Sequence, residues 1–153
     1  MSKIDSLLFI VGMVLALGSI ATFIVMNVAV GSSSNATLIQ HQRLFVTANA
    51  RALTVPGVCL LFAATILSTN FWGHQPLADG WGLAQLVLAC LIFINTMVFV
   101  RPLVTEVSQL ADQGAAQGKL LESYLRRKKL EDRLGAVNFV MIMTTLLLAA
   151  FRP

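Results

Sequence analysis

A chain of 153 residues that is 57% hydrophobic and only 12% charged lies well outside soluble domains, where roughly a quarter of residues carry charge. The formal charge of +4 and the pI of 9.6 do not point to nucleic acid, because most cations sit in one connecting segment, where an apolar protein uses them to fix its orientation. The length holds one domain, and the pattern predicts an all-α fold: a four-transmembrane-helix bundle with a cytoplasmic helical extension between helices three and four.

Residues 7–30 form the first apolar run. About 20 helical residues at 1.5 Å each cross a hydrocarbon core of roughly 30 Å, so this run spans with tilt to spare. It is longer than the apolar region of a signal peptide and lacks a basic leader and an A-x-A exit, which makes it a retained first helix. Gly12 with Ala16, and Gly18 with Thr22, form small-xxx-small steps, expected to serve packing within the bundle. Asn27 lies near the inner end, within reach of an interfacial partner.

The Gly31-Ser-Ser-Ser-Asn35 stretch breaks the helix. Asn35-Ala36-Thr37 matches a glycosylation acceptor, but the orientation argued below places it in the cytoplasm. Ser34 or Asn35 is instead expected to cap a helix over residues 36–53. Leu38, Phe45, Asn49 and Ala52 share one stripe of that helix, and Arg43, Thr47, Arg51 and Thr54 another. The pattern suits an interfacial or partly packed helix with its arginines turned to water or headgroups.

The second span, residues 53–69, opens on Val55-Pro56-Gly57, with proline in a first turn where its missing N–H has no partner to lose. A turn without Lys or Arg follows, flanked by Trp72 and Trp81 as interface anchors. The third span, residues 82–100, ends at Arg101-Pro102, where proline predicts a kink or interruption. A cytoplasmic helical loop, residues 103–133, turns near Gly114 to Gly118, and its second arm is supported by two i,i+4 pairs, Glu122 with Arg126 and Arg127 with Glu131. The fourth span covers residues 134–151. Asn95 and Asn138 are expected to hydrogen-bond between helices, since an unpaired amide in hydrocarbon is costly. Cys59 and Cys90, without ligand spacing, read as small buried hydrophobes, and no metal site is expected.

Orientation follows from the positive charges. Arg43, Arg51, Arg101, Lys119, Arg126, Arg127, Lys128, Lys129 and Arg133 fall on one side, and only Lys3 and Arg152 on the other. This predicts both termini on the non-cytoplasmic side.

No nucleotide-binding, metalloprotease, haem-attachment or nucleophile-elbow motif is present, and no catalytic residue is assigned. His41, Arg43, Asn49 and Arg51 form the candidate cofactor-binding group, because guanidinium forks and a histidine suit an anionic headgroup, a quinone carbonyl or a single-ligand haem. The plainer reading is that the arginines fix orientation and snorkel to phosphates. Arg126, Arg127, Lys128 and Lys129 are candidates for anionic lipid headgroups or an acidic partner, against the plainer reading of a topology determinant. No acidic residue falls inside a span, which argues against a proton- or cation-coupled carrier.

Arg51-x4-Pro56-Gly57 at the second span, Trp81 at the third and the Arg152-Pro153 terminus resemble small four-helix bacterial membrane proteins of the copper-resistance-D-like and HemJ-like group. That resemblance implies a multi-pass protein of the bacterial cytoplasmic (inner) membrane. HemJ-like proteins carry a histidine early in the first span, and here that span has none. The first functional reading, supported by the missing catalytic motifs, the small-residue helix faces and the long cytoplasmic helical arm, is a non-catalytic subunit or assembly partner of a larger membrane complex. The second is a membrane oxidoreductase or a haem- or quinone-binding protein using the His41 to Arg51 region, and the third is a homo-oligomeric channel.

Overall fold

The computed structural model describes residues 3–30, 33, 35–70 and 80–151. Helix α1 is Lys3–Val30; α2 (Ala36–Asn49) and α3 (Val55–Asn70) are halves of one long helix joined by a π-turn, Ala50–Thr54. In the same way α4 (Gly80–Ile94) and α5 (Arg101–Ala116) are joined by a π-turn at Asn95–Val100, and α6 (Glu122–Ala150) closes the bundle. Four stretches among the described residues are long and apolar enough to cross a membrane: Ser6–Val30, Ala36–Leu67, Gly80–Ala116 and Glu122–Ala150. The turn expected around Trp72 lies outside the described residues, while Trp81 begins α4.

The two interrupted helices run antiparallel at the centre, α3 against α4 and α2 against α5, with α1 laid on α3 and α6 on α4 and α5. The closest approach follows from small residues. A Cβ on Gly57 would lie 2.8 Å from the Ala16 amide nitrogen, and one on Gly12 2.9 Å from that of Leu61. The Gly12–Ala16 step therefore serves α1–α3 packing, as expected, whereas Gly18 faces open space. Two apolar clusters result. Met13, Ala16, Val58, Leu61, Ile92 and Ile142 form one across α1, α3, α4 and α6. Ile39, Leu103, Val107, Ala111 and Tyr124 form the other across α2, α5 and the start of α6.

Local chemistry explains the ends. The Asn35 side chain accepts from the N–H groups of Thr37 (3.0 Å) and Leu38 (3.3 Å), satisfying two donors that the first turn of α2 leaves orphaned. The α5–α6 turn falls slightly later than expected: Gly114 is still helical, and Gly118 takes φ 66°. Lys119 N–H returns to Gly114 O (3.0 Å) and Gly118 N–H to Ala115 O (3.1 Å), the paired bonds of a Schellman cap, which needs a residue tolerant of the left-handed region.

The interruption expected at Pro102 is observed as the π-turn just before it, and Pro56 stands in the first turn of α3 as expected, but that turn continues a long helix rather than opening a separate one. The Val55 N–H reaches back to Ala50 O and the Arg101 N–H to Thr96 O, i→i−5 bonds just before Pro56 and Pro102. A widened turn upstream accommodates a ring that lacks an N–H and crowds the preceding carbonyl. Cys59 is also exposed rather than buried.

Candidate functional site

The four residues grouped from sequence divide between two faces of one helix. His41 is exposed, its Nδ1 held 2.8 Å from Thr37 O, and Arg51 is exposed within the π-turn. Arg43 and Asn49 turn inward, with Ile39, Gln42 and Val46 completing the buried stripe. The expectation that both arginines face water is corrected for Arg43, which is 1% exposed.

Arg43 is buried because Glu131 meets it. Its Nη1 donates to both Glu131 oxygens, at 2.9 and 2.6 Å, and Glu131 is 2% exposed. This replaces the expected Arg127–Glu131 pair. Arg127 instead reaches Glu106 on α5 at 2.9 Å, while Glu122 pairs with Arg126 as expected. Arg43 also stands over the Tyr124 ring, 5.8 Å from its centroid. Its Nε and Nη2 have no hydrogen-bond acceptor.

Above this pair a polar belt crosses the bundle at the level of the π-turns. Asn49 Nδ2 donates to the backbone oxygen and Oγ of Ser19 on α1, both at 3.1 Å, and Ser19 Oγ also bonds Thr54 Oγ1. On the other side, Asn95 Nδ2 donates to Asn138 Oδ1 (2.8 Å), and Asn138 Nδ2 donates to Thr96 Oγ1 (2.8 Å). The expected interhelical role of both asparagines is thus observed. Gln42 Nε2 donates to Met26 O and to Asn27 Oδ1, which gives Asn27 its partner.

Of these groups, Ser19, Asn27, Asn49, Thr54 and Asn138 border a cavity of about 320 Å³. Ser19, Phe23, Ile24 and Asn27 of α1 form one wall, and Glu131, Asp132, Gly135, Asn138, Phe139 and Ile142 of α6 the other. Val46, Asn49, Ala50, Thr54 and Val58 make the floor, with Val100 and Val104. Ile24 and Phe139 are exposed as well as lining, so the cavity opens sideways between α1 and α6. Gly135 offers it free space, since a Cβ there would meet nothing within 4 Å. At the α2 end the wall becomes charged. Asp132 pairs with Lys128 (2.5 Å), and the Lys128 ammonium lies 5.3 Å from the Phe23 ring centroid.

The basic run is therefore divided. Arg126, Arg127 and Lys128 each have an acidic partner, and Lys129 is exposed. Glu131 and the cavity escaped the sequence reading. The signal available was a glutamate one turn before the span, at the foot of a helix whose apolar face begins at Leu134. Compared with protein-family models, curated proteins and solved structures, the chain matches none.

Proposed function

We propose that this protein is a multi-pass component of the bacterial inner membrane that binds one membrane-dissolved amphiphile, entering sideways between α1 and α6. The observation that carries the reading is the laterally open cavity, apolar along its length and hydrogen-bonding at its floor. Its 320 Å³ is about twice the roughly 150 Å³ apolar cavity that holds one benzene, room for a ring or an alkyl segment. Few convergent polar groups in an apolar pocket are the usual construction of a small-molecule site. Asn49 spends its amide hydrogens on Ser19 and so presents a fixed dipole rather than a floppy side chain. The role is that of a non-catalytic component which holds or hands on its ligand, consistent with the absence of catalytic motifs in the sequence. The bacterial membrane follows from the family resemblance.

Filling the cavity tests the reading. Gly135→Leu places a side chain where space is free and should abolish one-to-one retention of an amphiphile in native mass spectrometry from nanodiscs. Equal retention by both forms would show that the cavity is not the site.

The same proposal places both termini on the non-cytoplasmic side, with α2, α5 and the first turns of α6 in or near the cytoplasm. Support comes from the nine cations on that side against two opposite. A cysteine at Ser123, which is exposed, should resist an impermeant thiol reagent added to intact cells, with Cys59 and Cys90 replaced by serine. Ready labelling there inverts the topology.

A further inference from the structure

The polar floor of the cavity leaves two hydrogen-bonding positions unused. Asn49 turns its amide hydrogens to the backbone oxygen and Oγ of Ser19, and because a backbone oxygen only accepts, the amide cannot be flipped. Asn49 Oδ1 accepts no hydrogen bond. Among the described residues the unpartnered polar atoms sealed inside the protein belong to Arg43, so Asn49 Oδ1 keeps access to open space. For a side chain as buried as Asn49, that space is the cavity it lines. Ser19 Oγ and Thr54 Oγ1 bond each other, which uses one of their two hydroxyl hydrogens and leaves the second free. Both residues also line the cavity. The floor thus offers one open acceptor and one open donor on neighbouring side chains. Charge and depth add independent constraints. The lining includes the carboxylates of Glu131 and Asp132, each already paired, and no lysine, arginine or histidine among the described residues. At 1.5 Å per residue, Ser19 lies about 16 Å in from the nearer end of α1 at Val30, a depth at which an unpaired charge is costly.

We infer that the cavity selects an amphiphile whose head is a neutral hydroxyl, an alcohol or a phenol, which donates to Asn49 Oδ1 and accepts the free hydrogen of the Ser19–Thr54 pair. This rests on the amphiphile-binding reading above and names the head group of its ligand. A hydroxyl answers both open positions with one oxygen. An ether or ketone oxygen takes the free hydrogen but leaves Asn49 Oδ1 against an apolar surface, which is costly for a buried acceptor. An anionic head meets the partial negative charge of Oδ1 and the two wall carboxylates with no free cation to offset them. The tail leaves sideways past Ile24 and Phe139, which line the opening and are exposed.

Native mass spectrometry from phosphatidylcholine nanodiscs, with probes present at equal mole fraction, reads the choice directly. The probes are hexadecanol with its methyl ether, 4-nonylphenol with its methyl ether, and hexadecyl phosphate as the anionic head. Wild type should hold the hydroxyl member of at least one pair in about fivefold or greater excess over its ether, the scale of one hydrogen bond. The pair with the larger ratio tells an aliphatic alcohol from a phenol. Hexadecyl phosphate should be held less than the preferred hydroxyl probe. Asn49→Leu removes the acceptor and should bring the ratio to about one, whereas a purely structural loss lowers both members alike and leaves the ratio unchanged. Equal retention of hydroxyl and ether by wild type in both pairs overturns the hydroxyl assignment and leaves the cavity reading intact. An unchanged ratio in Asn49→Leu overturns it too, because the hydroxyl is then recognised elsewhere. Preference for hexadecyl phosphate overturns the neutral head. Retention of no probe removes the amphiphile reading itself. If Asn49→Leu does not fold, the wild-type ratios decide alone.

Discussion

The pair Arg43–Glu131 predicts an asymmetric double-mutant cycle. Both side chains are about as buried as any in the protein, at 1% and 2% exposure, and Glu131 receives its two hydrogen bonds from Arg43. Removing one partner strands the other, a loss of about 3–5 kcal/mol, whereas replacing both with apolar residues of similar size is often neutral or stabilising. The two single losses should differ. In Arg43→Met the orphaned carboxyl can take a proton and become neutral. In Glu131→Leu the guanidinium cannot shed its charge, and its two already empty nitrogens are joined by a third. Glu131→Leu should therefore be the worse single change, while the double variant Arg43→Met/Glu131→Leu should lie within about 1 kcal/mol of wild type. Reversible unfolding in mixed dodecyl sulfate micelles, followed by circular dichroism, measures all four forms. Strictly additive losses would refute the reasoning, because they would mean the two charges do not depend on each other.

Gly57→Ala should destabilise by about 1–3 kcal/mol despite its better helix propensity, because its Cβ would come within 2.8 Å of the Ala16 amide nitrogen. Gly18→Ala, with nothing nearby, should stabilise by up to about 1 kcal/mol in the same unfolding assay. Asn35→Ala should cost about 1 kcal/mol and accelerate amide hydrogen exchange at Thr37 and Leu38, the two N–H groups it caps. Asn138→Leu should cost about 1 kcal/mol, because it removes the shared partner of Asn95 and Thr96.

Much of the architecture could be read from local signals. The helix existence, the Asn35 cap, the small-residue face of α1 and the Asn95–Asn138 contact each follow from residues whose physical requirement is nearly independent of the fold. Arg43 departs from expectation for the opposite reason. An arginine near a membrane boundary has two acceptable environments, water or a buried carboxylate, and its carboxylate lies 88 residues away. Nothing within one helix distinguishes them. The competing local partner for Glu131, Arg127 at i−4, has the right spacing, but Glu106 on α5 takes it instead. Spacing along a helix reveals which pairs are possible, and interhelical packing chooses among them. His41 and Arg51 lie on the exposed face, apart from the buried Arg43 and Asn49, for the same reason: proximity in sequence is not proximity in space.

The π-turns explain why the cavity has a continuous floor. Val46, Ala50, Thr54 and Val58 all line it. In an uninterrupted α-helix twelve residues of advance rotate by about 1,200°, which leaves Val58 about 120° away from Val46. A π-turn absorbs one residue without advancing the face. Eleven effective residues give about 1,100°, and Val58 returns to within about 20° of Val46. The turn therefore rotates α3 so that its inward stripe continues that of α2. Pro56 contributes by making a regular turn at that place unfavourable. Pro102 stands in the same relation to the second π-turn, and in both helices an asparagine lies seven residues before the proline, Asn49 before Pro56 and Asn95 before Pro102. Each asparagine bonds to the flanking outer helix, Asn49 to α1 and Asn95 to α6. The repeated spacing joins a loosened turn to a fixed interhelical contact in both interrupted helices, and each contact includes a cavity-lining residue, Asn49 with Ser19 in one and Asn138 in the other. It is the part of the sequence most directly tied to the cavity's shape, and a constant 3.6-residue period conceals it.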